Sequence, residues 1–226
     1  ILLDGLARLE YRGYDSAGIA VYSPEDGLRV EKAKGRLQVL FDKIHGGADV
    51  KGHLGLGHTR WATHGEPSDV NAHPQLSESG RFAVIHNGII ENYVEIKEFL
   101  QEHGVTFVSE TDTEVVAHLL DYYYKDDMMD AVVKVLHRIN GAYAFGIVCA
   151  DCPDRLIAAR KDSPLIIGYG DGFNFLASDV TAVIKYTREV SYLDDGDIAV
   201  LTADSVEIYD SLLQRVEKAH HQVDWE

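Results

Sequence analysis

Apolar residues at Leu2, Leu3, Leu6 and Leu9 recur at helical spacing from the first positions of the chain, which predicts a helix over 1–10. No initiator Met and no Ser, Thr, Asp or Asn cap stands ahead of it, so the expected start of the folded unit lies upstream of Ile1. Gly13 then interrupts the helix and leaves Arg12 and Asp15 in a connection. Apolar-rich segments at 17–22 and 28–33 flank Ser23-Pro24-Glu25-Asp26-Gly27 and predict a strand pair around a turn. Leu37, Leu40, Phe41 and Ile44 predict a short helix over 36–44. The apolar run 54–57 leads into His58-Thr59-Arg60-Trp61-Ala62-Thr63-His64-Gly65-Glu66-Pro67, expected to be a short strand delivering polar side chains into an irregular loop. A strand over 81–86 ends at Asn87-Gly88, a strong local turn signal. Helices are expected over 92–103, 115–124 and 128–139. Thr111 and Glu114 fit a capping box for the second of these, with Asp112 in its first turn.

Beyond Gly141 the pattern shortens. Segments 143–148, 155–159, 165–167, 173–177, 191–193, 198–201 and 206–209 read as short strands separated by Gly and Asp. After Asp210 the chain turns polar and weakly helical, which divides it into a domain over 1–210 and a connector over 211–226. Strands in both halves with helices clustered in the first predict a layered α+β fold.

Net charge changes the range of partners. At −16, the chain lacks the basic face that phosphate backbones require, so nucleic acid is not expected as a partner. No apolar run approaches the ~20 residues of a membrane span, so no membrane partner is expected. Two cysteines exclude a disulfide framework and fit a reducing compartment, hence a cytoplasmic protein.

Several groups carry candidate chemistry. Arg60 with Thr63, His64 and His73 suits a carboxylate, because a guanidinium pairs it through two parallel bonds; equally, Arg60 ties down its own loop. His53, His58, His64, His73 and His86 raise a metal site, with His64 and His73 foremost, but the spacings are irregular and no metal is expected. Asn87-Gly88 reads either as an oxyanion hole or as a plain turn. Asp112 reads either as the partner of an ammonium group or as a helix-start acid. Cys149-Ala150-Asp151-Cys152 falls at a strand end without a second pair, and a structural role is expected.

Four stretches in register resemble one family across essentially the whole chain: Arg8 to Gly18, His58 to Pro67 with Asn71-Ala72-His73-Pro74, His86 to Asn92, and Ser109 to Glu114. They are similar to the glutaminase domains of class II glutamine amidotransferases. Their wording is nearer to the domains that serve glucosamine 6-phosphate synthesis than to those of amidophosphoribosyltransferase or asparagine synthetase. The resemblance implies a four-layer αββα sandwich of the N-terminal-nucleophile hydrolase type. It also implies hydrolysis of L-glutamine to glutamate and ammonia without a cofactor.

By position, Arg60 matches the residue that holds the α-carboxylate, with Thr63 and His64 beside it and His73 in the same pocket. Asp112 matches the acid that takes the α-ammonium. Asn87 and Gly88 match the oxyanion hole, Arg12 a residue near the nucleophile, and Trp61 the indole that gates an ammonia channel. The family's nucleophile, an N-terminal cysteine, matches nothing in the chain and belongs ahead of Ile1. The implied partners are an isomerase domain of the same polypeptide and a second copy in a homodimer. A glutaminase of another class II amidotransferase, or a glutamine- or glutamate-binding module without catalysis, remains an alternative.

Overall fold

A computed structural model describes residues 1–224. In chain order the elements are α1 (Leu2–Leu9), β1 (Ser16–Ser23), β2 (Gly27–Lys34), α2 (Leu37–Lys43), β3 (Leu54–Arg60), β4 (Gln75–Leu76), β5 (Phe82–Ile90), α3 (Tyr93–Glu102), α4 (Glu114–Tyr123), α5 (Met128–Arg138), β6 (Gly141–Cys149) and β7 (Arg155–Lys161). Then follow β8 (Ile166–Tyr169), β9 (Asn174–Ala177), β10 (Glu189–Tyr192), β11 (Ile198–Thr202), β12 (Val206–Tyr209), β13 (Arg215–Val216) and β14 (His221–Gln222).

The strands form three antiparallel sheets. One has seven strands in the order β13-β12-β11-β7-β6-β5-β4, one three in the order β2-β1-β3, and one four in the order β14-β10-β8-β9. Period-two alternation assigns the faces of the large sheet. On β5, Phe82 and Val84 pack with Ile96 and Leu100 of α3 and with the buried run Val115–Leu120 of α4. Ala83 and Ile85 turn to the opposite face, where Ala144 and Val148 of β6 meet Ala20 and Leu56 of the three-stranded sheet and Ile167 of the four-stranded one. Ala17, Ile19 and Val21 of β1 face the other way, onto Leu6 of α1 and Leu37 and Leu40 of α2. Helices, sheet, paired small sheets and helices therefore stack as four layers. Both faces of the central strands are covered, which is why β6 is apolar along nearly its whole length.

Three expectations need correction. Asn87-Gly88 is no turn: β5 runs through both residues to Ile90, with Asn87 opposite Ala144 and Gly88 opposite Tyr143. Pairing with β6 overrides the local Asn-Gly preference, because each continued ladder position satisfies backbone groups that a turn in the core would strand. The Thr111–Glu114 capping box does not form. The cap position of α4 is Thr113, and Glu114 instead accepts from the Val108 and Ser109 N–H groups, the Ser109 hydroxyl and His118 Nε2. Asp112 therefore precedes the helix. The segment after Asp210 is not weakly helical: β13 pairs with β12, β14 with β10, and Val223 is buried beside Val190. Lys218 anchors it to Asp194 at 2.6 Å and Asp197 at 2.8 Å.

Candidate active site

The strand β3 organises the site. Its inward face alternates Leu56, His58 and Arg60, all buried, and the strand runs through to Arg60 itself. Arg60 thus projects from a rigid sheet, and the loop begins after it. A cavity of about 440 Å³ opens where β3, β5, β9 and the 111–113 segment converge. Arg12, Arg60, Trp61, Thr63, His64, His73, Asn87, Gly88 and Asp112 all line it.

Arg60 donates to the Gly65 carbonyl at 3.0 Å, to the Glu66 carbonyl at 3.3 Å and to the His64 carbonyl. Arg60 thus ties down its own loop, through carbonyls rather than through an Asp or Glu, and the residue also lines the cavity. Burial lowers its pKa, while Asp15, Asp112 and Glu110 oppose that shift; the group stays cationic. Asp15 receives the Ala62 N–H and so fixes the loop at its start. Asp112 is buried on the cavity wall, with Oδ2 accepting the Ile90 N–H at 2.7 Å.

Trp61 is 63% exposed and stands edge-on to Tyr14 at 5.7 Å. His64 meets Tyr93 edge-on at 5.1 Å. Arg12 donates to the Ser178 hydroxyl, tying the segment after α1 to the end of β9. His73 is buried and stacks on His58 with ring centroids 4.4 Å apart. Stacked rings do not aim their nitrogens at a common point. Among the described residues no three His, Cys, Asp or Glu side chains are grouped to hold a metal ion. The Cys149 thiol is pushed up to about 12, chiefly by burial, and it closes β6 inside the helix-side core, so it is no nucleophile.

His58 also lines the cavity, although spacing alone places it only among candidate metal ligands. Its Nε2 contacts the Asn87 Oδ1 at 2.9 Å and the His86 carbonyl at 3.2 Å. Both partners are acceptors, so Nε2 carries the proton. The bond fixes which way the Asn87 amide points: the oxygen is engaged, and the NH2 is left as the available end. The signal lies in the alternation of β3, since His58 and Arg60 are two apart and share one face.

Gly88 has φ +124, and a Cβ there would lie 2.2 Å from the Ala142 carbonyl oxygen. Gly88→Ala is therefore expected to destabilise the fold by about 3 kcal/mol, from strain plus overpacking. Urea unfolding measures it, and an unchanged midpoint would show that β5 shifts freely.

The chain matches the glutamine amidotransferase domain family over residues 58–185. It belongs to that family. Over its full length it is 56% identical to the glutamine–fructose-6-phosphate aminotransferase [isomerizing] of Caldanaerobacter subterraneus. It is 55% identical over 92% of its length to the enzyme of that name from Aquifex aeolicus. The chain spans 37% and 35% of those two relatives. Among solved structures, the glutamine phosphoribosylpyrophosphate amidotransferase from B. subtilis, complexed with ADP and GMP, superposes with TM-score 0.80 at 26% identity. That match covers 94% of this chain and 46% of the other. The fold of this amidotransferase domain is thus the four-layer αββα sandwich of the N-terminal-nucleophile hydrolase type. No helix among its described residues is long and apolar enough to cross a membrane.

Proposed function

We propose that this amidotransferase domain hydrolyses the side-chain amide of L-glutamine and hands the ammonia to an isomerase domain of the same polypeptide. There it would serve glucosamine 6-phosphate synthesis from fructose 6-phosphate. The observation that carries the reading is the meeting of a buried cation, Arg60, and a buried anion, Asp112, on one cavity wall with Asn87 and Gly88. A zwitterionic amino acid needs the first two, and an acyl-transfer oxyanion needs the second two.

In this reading Arg60 pairs with the α-carboxylate, with Thr63, His64 and His73 around it, and Asp112 accepts from the α-ammonium. An N-terminal cysteine on a strand ahead of Ile1 supplies the thiolate, its own α-amino group acting as base. The cavity supports that placement. It is bordered by β3 and β9, each the last strand of its sheet, and a strand lying between them would pair with both. Arg12, held by Ser178, would stand beside the nucleophile. Thiolate attack on the amide carbon converts its C=O to an oxyanion. The Asn87 amide, aimed by His58, and the Gly88 N–H stabilise that charge. The C–N bond then breaks, the nitrogen leaves as ammonia after protonation, and water frees glutamate from the thioester.

Trp61, exposed and edge-on to Tyr14, would gate the passage of ammonia. The connector over 211–226, whose last two residues lie outside the described ones, would be the approach to the isomerase domain, and the complete enzyme is a cytoplasmic homodimer. The test is ammonia release from L-glutamine by the full gene product before and after thiol alkylation. Release that vanishes on alkylation is the expected result, and Asn87→Ala should lower kcat by about 10²–10³. Tight glutamine binding with no ammonia release would replace hydrolysis with sensing.

A further inference from the structure

The cavity's two charged poles come from segments far apart in the chain, and one buried side chain joins them. Arg60 is braced by the loop carbonyls of residues 64–66, while Asp112 closes the 103–113 connection. Between them lies Asn71, 2% exposed. Its Nδ2 donates to the Glu66 carbonyl at 2.9 Å and to Glu110 Oε1 at 3.2 Å, and its Oδ1 accepts the Glu110 N–H at 2.8 Å. The Glu66 carbonyl also accepts from Arg60 Nη1. A continuous run of bonds therefore links Arg60, Glu66, Asn71 and Glu110, two residues before Asp112. At the far end the Ile90 N–H clamps Asp112 itself. Both ends of the Asn71 amide are engaged, so the side chain has one orientation.

Gly65 seals the same junction from the other side. Its φ is +82, and a Cβ there would sit 2.6 Å from Asn71 Nδ2 and 2.9 Å from Glu110 Cβ. The two loops approach as closely as they do because no side chain separates them.

We infer that Asn71 is a positioning residue that sets the separation of Arg60 from Asp112, and through it the preference of the site for an L-α-amino acid. This rests on Arg60 and Asp112 being the carboxylate and ammonium partners. Chirality is read by three groups at fixed mutual positions: the cation, the anion and the side-chain subsite at Asn87-Gly88. If the first two drift apart, the enantiomers become equivalent while general attraction to a zwitterion persists.

The experiment is calorimetric titration of L- and D-glutamate into the full gene product, as wild type, Asn71→Ala and Gly65→Ala, with circular dichroism to confirm folding. The wild type should favour the L form by at least about tenfold. Each variant should weaken L-glutamate by about tenfold or more while changing D-glutamate by less than about threefold, so that the ratio approaches one. Asn71→Asp keeps the acceptor for the Glu110 N–H and loses the donor to Glu66, and should fall between. Equal weakening of both enantiomers, or an unchanged ratio in both folded variants, would reduce Asn71 to a loop brace and overturn the inference. A wild type that binds neither enantiomer would instead remove the amino-acid site itself.

Discussion

Arg60→Ala is expected to abolish detectable L-glutamate binding, a loss of about 10³-fold, and to lower thermal stability at the same time. Two effects add. A guanidinium–carboxylate pair is a charge-assisted contact, and removing it takes roughly 1.5–3 kcal/mol from the complex for each bond made by an N–H that the loop carbonyls leave available. Within the free protein, the half-buried carbonyls of His64 and Gly65 lose the donor that Arg60 gives them, at up to about 1–3 kcal/mol each, while the Glu66 carbonyl keeps Asn71 Nδ2. Arg60→Lys separates the two. An ammonium restores one charge and some of the loop bonds but lacks the planar fork, so stability should recover further than affinity. Calorimetry and thermal unfolding on both variants give the answer. Glutamate affinity within about threefold of wild type in Arg60→Ala would remove Arg60 from the recognition site and leave it as a loop tie.

The layers are legible in the sequence where burial is two-sided or periodic, and the site is legible as residues rather than as a place. Phe82-Ala83-Val84-Ile85 shows the alternation of a strand between two cores, and Leu2, Leu6 and Leu9 show the stripe of α1. The departures share one cause, which is that short-range signals lose to long-range pairing. Asn87-Gly88 carries a turn signature, yet nine consecutive residues of β5 find partners on β6, and that ladder decides. Thr111 and Glu114 have capping spacing, yet Glu114 is claimed by Ser109 and His118. Arg215–Val216 and His221–Gln222 are two-residue strands, too short for any period to show, and they form because edge strands of two finished sheets are available to them. Arg60 and Asp112 meet only through the tertiary fold, so from sequence their shared cavity is visible through resemblance alone. The loop-bracing role of Arg60 and the orienting role of His58 depend on distances, and no spacing in the chain encodes them.

Acid should unfold this domain earlier than its many exposed carboxylates would suggest, because three buried histidines must stay neutral. His58 is pushed down to about 4 from an ordinary 6.5, first by burial and then by the nearness of His86 and Arg60, against the bond to Asn87. His73 lies well below its ordinary value through burial and the neighbouring His58, His86, Arg60 and Lys32. His86 is lowered too, by burial, although Asp112 and the Ala142 carbonyl pull the other way. Between about pH 6.5 and 4 the unfolded chain binds protons at these positions that the folded chain refuses, so stability rises with pH through that window and is complete above it. His58 alone accounts for about 3 kcal/mol lost by pH 4, since each tenfold difference in proton affinity between the folded and unfolded chain is worth about 1.4 kcal/mol, and the other two histidines add to it. Glu114 extends the loss further down. Burial raises its carboxyl, but the bonds from His118, Ser109 and Val108 outweigh it. The net pKa lies below 4.5, and its contribution fades as pH falls through that lowered value. Urea unfolding at about pH 7.5, 6.0, 5.0 and 4.5 should give a midpoint that drops steadily from the first step below 6.5. The stacked pair is the sharpest check: His73→Gln removes one of the three neutral sites and should flatten the profile between about pH 6.5 and 5 whatever it does to stability at pH 7.5. A profile flat down to about pH 5 in the wild type would mean that these imidazoles are protonated or solvated in the folded protein. In that state the His58–His73 stack could not persist as a contact between neutral rings.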